Sequence, residues 1–356
     1  MMRGFLSLAV VTACIGLAWI SAASADPFAK VSDEELKAVL ERRFLLRTYP
    51  RDPAFIPRSA NVSPLAAVGE PEIVVAARSR AIYGVDTRMD WFGIRDDGIR
   101  RLARASVSLV DASLLGPEDP VKLTVTTLQK KKFVCASERF ASQPALGFCS
   151  GTLIAPDAVL TAGHCVRELA AELSPFGLPQ VRFVFGYRME SDRPDGAAPI
   201  PVANVFRGRE FAGVYTAAKE DWAIVKLDRE VPPSVAEPVT NWSPAAPRLN
   251  QSIFMIGFPD GLPVKYAGGA TVRDAAPEGY FVANLNSLHG NSGSGVYDAS
   301  SLQLVGLLSR GEPDYVPDAS GTCATANVCP KICGPEGCRL HCSGEHVTRI
   351  GAVKRP

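Results

Sequence analysis

Val159-Leu160-Thr161-Ala162-Gly163-His164-Cys165 is the stretch on which the reading of this chain turns. An apolar β-forming run stops at small residues, which let the backbone turn tightly and present a histidine at the strand's end. Histidine is the natural base near neutral pH, because its unperturbed pKa lies at about 6.5. Just upstream, Phe148-Cys149-Ser150-Gly151-Thr152-Leu153-Ile154 reads as a second β run. Cys149 and Cys165 flank the pair and could clamp it. A loop of that size closed by a disulfide is worth about 3 kcal/mol in the chain-entropy model.

Two further strings belong with the first. Glu220-Asp221-Trp222-Ala223-Ile224-Val225-Lys226-Leu227 opens an apolar strand with an acid. Buried behind His164, Asp221 would accept from the far ring nitrogen, fix the tautomer and stabilise the imidazolium. Glu220 and Asp228 compete for that role. Gly290-Asn291-Ser292-Gly293-Ser294-Gly295 packs three glycines into a turn that can hold a serine hydroxyl outward. Ser292 is the candidate nucleophile, with Ser294 as the structural alternative. The N–H groups of Gly290 and Ser292 could bind an oxyanion, each such donor being worth about 3 kcal/mol at a transition state.

Together these blocks resemble the three active-site blocks of trypsin-like serine proteases, in that family's order of His, Asp, Ser. The resemblance spans about residues 81–312. It is closest to the bacterial branch that includes glutamyl endopeptidase: Tyr83-Gly84-Val85-Asp86-Thr87-Arg88 resembles that branch's mature start, and Ile256-Gly257-Phe258-Pro259 its Gly-Tyr-Pro block. It implies an all-β fold of two six-stranded antiparallel β-barrels (chymotrypsin-like), with the active site in the inter-barrel cleft. It implies a catalytic triad of His164, Asp221 and Ser292, an oxyanion hole of Gly290 and Ser292, and peptide hydrolysis through an acyl-enzyme on Ser292. Asn286, Ser287, Ser309, Arg310 and Gly311 fall at the substrate pocket.

The departures bear on activation and specificity. Animal digestive enzymes carry an aspartate before the nucleophile, paired with the newly cut N-terminal amine; here it is the uncharged Asn291. Asn286, at the pocket base, cannot supply the countercharge that an Arg or Lys preference needs. The position where glutamate-specific relatives place a pocket histidine falls on Leu308, and His289 reads as a rim residue. The expected preference is therefore for a neutral side chain at the cleaved position.

The rest of the chain fits an exported protein. Hydrophobic residues make up 47 %, enough for a packed core. The net charge of +1, with basic residues dispersed, offers no nucleic-acid footprint. Residues 1–25 read as a signal peptide: Arg3, an apolar stretch from Phe5 to Ile20, then Ala23-Ser24-Ala25. That reading is preferred to a stable membrane anchor, because the apolar run is short and no charged stop follows. Val11-Thr12-Ala13-Cys14 resembles a lipoprotein box, but a chain beginning at Cys14 would keep the apolar Ile15 to Ile20. Nine cysteines are an odd number; removal of Cys14 leaves an even set, as full disulfide pairing requires.

Residues 26–80 read as a pro-segment. Ser32 and Glu35 form a capping box, and Leu36, Val39, Leu40 and Phe44 repeat at helical spacing, predicting a short helix over about 33–47. A proline-broken stretch follows, ending at Arg78-Ser79-Arg80, a candidate processing site. The N-terminal barrel is assigned to 81–235 and the C-terminal barrel to 236–322, with the proline-dense 232–247 between the halves. Expected β runs are 105–110, 122–126, 151–154, 158–161, 181–185, 222–227, 253–256, 295–297 and 304–308, with no long helical period.

Residues 323–356 form a cysteine-rich segment. Cys323, Cys329, Cys333, Cys338, Cys342 and Cys135 suggest three disulfides of open connectivity. A zinc site using His341 or His346 is the alternative, disfavoured because no clean Cys-x-x-Cys pair occurs. The function expected is a secreted or periplasmic serine endopeptidase acting on protein or peptide substrates, needing no metal or cofactor. A catalytically silent binding module is the alternative. An esterase elbow would need the order Ser, Asp, His and a following helix.

Overall fold

The computed structural model describes residues 81–166, 177–215, 220–311, 314–329, 331–334, 337–340 and 342–354. The signal, the pro-segment helix and Arg78-Ser79-Arg80 lie outside the described residues. The first helix, α1 (Asp97–Ala105), is capped by Asp96, whose carboxylate accepts from the Ile99 N–H, and it buries Leu102, Ala103 and Ala105. Ile99, Leu102 and Ala103 stand at helical spacing, but over only 9 residues, too few for a long period to announce the helix.

Six strands then make a closed barrel: β1 (Ser106–Asp111), β2 (Cys149–Ala155), β3 (Ala158–Thr161), β4 (Val181–Phe185), β5 (Val205–Tyr215) and β6 (Asp221–Leu227). The neighbour order is β1-β2-β3-β6-β5-β4, with β4 returning to β1, all antiparallel. A second set follows: β7 (Ser252–Gly257), β8 (Lys265–Asp274), β9 (Tyr280–Ala283), β10 (Gly295–Asp298), β11 (Leu304–Arg310) and β12 (Glu345–Arg349). They close as β7-β8-β9-β12-β11-β10, back to β7, again antiparallel. The protein is thus all-β, two six-stranded barrels with the same connectivity. The short strand Arg88–Asp90 adds to β8 of the second barrel. Among the described residues, no helix is long and apolar enough to cross a membrane.

Strands buried on both faces explain the runs that lack strict alternation. In β7, Ile253 and Met255 join the core of the second barrel, with Phe281, Val296, Val305 and Val347. Phe254 and Ile256 face the other way, into the larger core that also holds Val107, Leu153, Phe183 and Val225 of the first barrel. Of the expected β runs, 122–126 does not form a continuous strand: Leu123 makes an isolated antiparallel bridge with Leu115, Thr126–Thr127 pairs with Pro144–Ala145, and Val125 is 37 % exposed. Only Leu123 of that stretch packs against the core, while Lys122, Thr124, Val125 and Thr126 lie exposed, so no strand face is buried.

The second barrel also runs beyond 322. Its sixth strand is β12, so the cysteine-rich residues from 323 are not a separate C-terminal piece. They are an insertion between β11 and β12 followed by a barrel strand. Disulfides join Cys135 to Cys323, Cys149 to Cys165 and Cys329 to Cys342. Cys333 and Cys338 face each other in the register of two paired strands. The insertion meets the start of the described chain: Ile82–Tyr83 pairs in parallel with Val328–Cys329.

One buried ion pair fastens Arg88–Asp90 to the barrel. Lys265 Nζ lies 2.5 Å from Asp90 Oδ1 and donates to Gln143 Oε1 at 2.8 Å and the Pro263 carbonyl at 2.9 Å. Burial pushes the ammonium down to about 8 against the pull of Asp90. Lys265→Ala would strand the Asp90 carboxylate without its cation, and a loss of about 3–5 kcal/mol is expected from the shift in urea midpoint. A change within experimental error would mean that Asp90 finds compensation elsewhere.

Candidate active site

His164 sits in a single 3-10 turn (Gly163–Cys165) at the end of β3, and Asp221 opens β6, the neighbour of β3 in the barrel. The carboxylate holds the histidine twice. Asp221 Oδ1 accepts from the His164 backbone N–H at 3.0 Å, and Oδ2 lies 2.5 Å from ring Nδ1. A carboxylate can only accept, so in the neutral ring Nδ1 carries the proton and Nε2 is the accepting nitrogen. Gly163 makes room for this approach: a Cβ there would meet Asp221 Oδ1 at 3.1 Å and the Val214 carbonyl at 2.6 Å.

Ser292 lies in the turn between β9 and β10 and comes to the histidine through backbone contacts. The Ser292 carbonyl accepts from the Ser150 N–H at 2.8 Å, and Cys165 Sγ lies 3.7 Å from the same oxygen. The next residue, Gly293, has φ +86; a Cβ there would collide with the Ser150 carbonyl and stand 2.8 Å from the Ala162 nitrogen. Only glycine lets the serine turn rest on the strand end that carries His164. His164, Asp221 and Ser292 are 3 %, 8 % and 4 % exposed, so the group is shielded without being sealed.

The two candidate serines differ in surroundings. Ser294 is fully buried and donates to Asn291 Oδ1 at 3.2 Å; Asn291 Nδ2 in turn donates to Ser287 Oγ at 3.2 Å. Asn291 is thus an internal strut of the turn. Glu220 and Asp228 do not take the histidine; Asp228 accepts from the Arg207 N–H on the barrel's outer side.

The pocket positions are spread more widely. Ser309 Oγ donates to the His346 carbonyl at 3.1 Å, and Arg310 Nε donates to His346 Nδ1 at 3.0 Å. Gly311 faces the Glu345 carboxylate, which a Cβ would strike. Asn286 has turned onto the start of the described chain: its oxygen accepts from the Tyr83 N–H at 2.7 Å, and its amide donates to the Val85 carbonyl at 2.7 Å and to Thr87 Oγ1 at 3.1 Å. Leu308 packs in the core of the second barrel.

Residues 149–307 match the family model of the trypsin-like peptidase domain. Over that stretch the chain is similar to trypsin-like peptidases. Among solved structures, it is similar to a Glu endopeptidase in complex with MPD, at 18 % identity over 69 % of this chain and 94 % of that one, TM-score 0.39. It is similar also to human heparin binding protein, at 11 % identity over 75 % of this chain and 92 % of that one, TM-score 0.44. No curated protein matches it. The matched stretch takes in strands of both barrels: His164 and Asp221 come from the first, and Ser292 lies in a turn of the second.

Several residues that hold the site together carry no motif of their own. Thr348 Oγ1 of β12 bonds the Asp221 backbone, at 3.4 Å to both its N–H and its carbonyl. Ser150 Oγ donates to the Gly290 carbonyl at 2.7 Å and accepts from the Phe258 N–H at 3.0 Å, stitching the barrels at the serine turn. Among the described residues, two side-chain groups could meet at a common metal: Cys149, His164 and Cys165, and Cys135, Asp318 and Cys323. In each, the two sulfurs are bonded to one another. Of the cysteines in the zinc alternative, Cys323, Cys329 and Cys342 are likewise in disulfides.

Proposed function

We propose that this protein is an exported serine endopeptidase that cleaves peptide bonds through an acyl-enzyme on Ser292. The observation that carries the reading is the doubly held His164–Asp221 pair with the Ser292 turn packed on the same strand end. His164 Nε2 takes the proton of Ser292 Oγ as the oxygen attacks the substrate carbonyl. The Gly290 and Ser292 amides bind the oxyanion of the tetrahedral intermediate. The imidazolium passes its proton to the leaving amine, and the C–N bond breaks. Water, deprotonated by His164, then attacks the ester and releases the new carboxylate and Ser292.

The test is covalent labelling with a serine-directed fluorophosphonate, read by intact mass and peptide mapping. An adduct on Ser292 supports the endopeptidase; none on folded, correctly processed protein would turn the assignment to a silent binding module. Disulfides suit an oxidising compartment, in keeping with export.

Maturation fits a cut between Arg80 and Ala81. Ala81 is fully buried, and its N–H faces Oε1 of the fully buried Glu345 at 3.3 Å, beside the Tyr83 hydroxyl at 3.4 Å from the same oxygen. Cleavage would turn that amide into an ammonium, the charge a buried carboxylate calls for. Its neighbours are the pocket loop: the Ser287 N–H donates to the Ala81 carbonyl at 3.1 Å. N-terminal sequencing of the secreted form should start at Ala81, and Arg80→Gln should leave the longer chain uncut. A mature start at Asp26 would remove the pro-segment from this account.

The cleavage preference is for a neutral residue. Both donors and the oxygen of Asn286 are engaged by residues 83–87, and Leu308 belongs to the barrel core. A peptide library should show cleavage after uncharged side chains; strict cleavage after Arg, Lys or Glu would contradict it.

A further inference from the structure

An oxyanion donor is aimed by the other end of its own peptide unit. In a trans peptide the carbonyl of His289 and the N–H of Gly290 lie in one plane and point opposite ways, so whatever holds the carbonyl directs the amide. The His289 carbonyl is held by the backbone N–H of Asp260. Asp260 has φ 53 and ψ 17, in the left-handed region that disfavours a residue with a Cβ. The conformation therefore needs outside support.

That support is visible. Asp260 is 2 % exposed, and the Tyr315 hydroxyl donates to its Oδ2 at 2.6 Å. Lys132 Nζ makes an ion pair with Oδ1 at 2.9 Å. Lys131 Nζ donates to the Asp260 carbonyl at 3.1 Å, and also to the carbonyls of Gly147 at 3.0 Å and Ala145 at 3.3 Å. Two stretches of chain, around 131 and 315, thus converge on one residue outside the triad, and the carbonyls at 145 and 147 hold Lys131 in place. The triad does not use any of these side chains.

We propose that Asp260 is a positioning residue for the oxyanion hole: clamped by Tyr315, Lys132 and Lys131, it holds the His289 carbonyl and so aims the Gly290 amide at the developing negative charge. This rests on the endopeptidase reading above. A misaimed amide weakens the transition state and leaves ground-state binding nearly untouched, so the loss falls on kcat.

The experiment uses the full exported protein, processed as in its host, and the library peptide that the wild type cleaves best. Asp260→Ala should lower kcat by about a hundredfold, the usual scale for one lost oxyanion donor, with KM within about twofold. Affinity for the corresponding peptide aldehyde should fall by the same factor as kcat/KM. Asp260→Asn, which tolerates the left-handed conformation and still accepts from Tyr315, should recover most of the loss. Tyr315→Phe, which removes one hydroxyl, should lower kcat in the same direction and guards against an Asp260→Ala chain that fails to fold. A fall in melting temperature with kcat and aldehyde affinity unchanged in Tyr315→Phe and Asp260→Asn, or a rise in KM alone, overturns the proposal. A wild type that neither labels at Ser292 nor turns over overturns the endopeptidase reading itself, and this inference with it.

Discussion

Replacing Ser292 with alanine is expected to lower kcat by about a millionfold, the scale seen when a triad nucleophile is removed. The size follows from the cooperation of the parts. Without Oγ there is no acyl-enzyme, and His164 and Asp221, however well paired, have no proton to move. Ser294→Ala is the informative comparison. Ser294 is a buried strut bonded to Asn291, so its loss should cost stability of about 1 kcal/mol and only a modest part of the rate. Steady-state turnover on the best peptide, with thermal melting alongside, separates the two. The reverse pattern, a dead Ser294→Ala and a live Ser292→Ala, would move the nucleophile by two residues and break the proposed mechanism.

Asp221→Asn should come next, with a fall in kcat of about 10⁴-fold at neutral pH. Asparagine fills the same space, so the fold should survive. It can still accept from the His164 backbone N–H, but it can also present an NH₂ to ring Nδ1. Nδ1 then becomes the acceptor, the ring proton shifts to Nε2, and the base proposed for Ser292 is lost. Fluorophosphonate labelling should slow in step with kcat, because both need the serine deprotonated. A tenfold loss or less would mean that the Asp221 charge matters little and that its backbone contact to His164 does most of the orienting.

The strings around His164, Asp221 and Ser292, and the strands next to them, are legible in the sequence because their signals are local. A run such as Val159 to Thr161 needs only its own residues to read as strand, and Gly163 and Gly293 mark close approaches by lacking a side chain. Strands β5 and β8 escape such a reading for the opposite reason. Arg207, Arg209 and Glu210 interrupt the first, and Gly268 and Gly269 interrupt the second; their pairing partners decide their state. β12 is hidden because Glu345 and His346 look like the tail of a cysteine cluster until β9 and β11 take them in from either side. The same limit applies within the site. Asp260, Ser150 and Thr348 matter through what they touch across the barrels, and no spacing along the chain connects Asp260 with Tyr315.

Strand β12 is also the last part of either barrel to leave the ribosome. Until it arrives, β9 and β11 are open edges, and the second barrel is a curled sheet that has not closed. Thr348 is then missing from Asp221, and Glu345 from Ala81. A chain broken off before Glu345 therefore lacks the brace on Asp221 as well as a barrel wall, even though His164, Asp221 and Ser292 have all been made. On the proposed endopeptidase reading, a copy truncated before β12 is expected to lack activity.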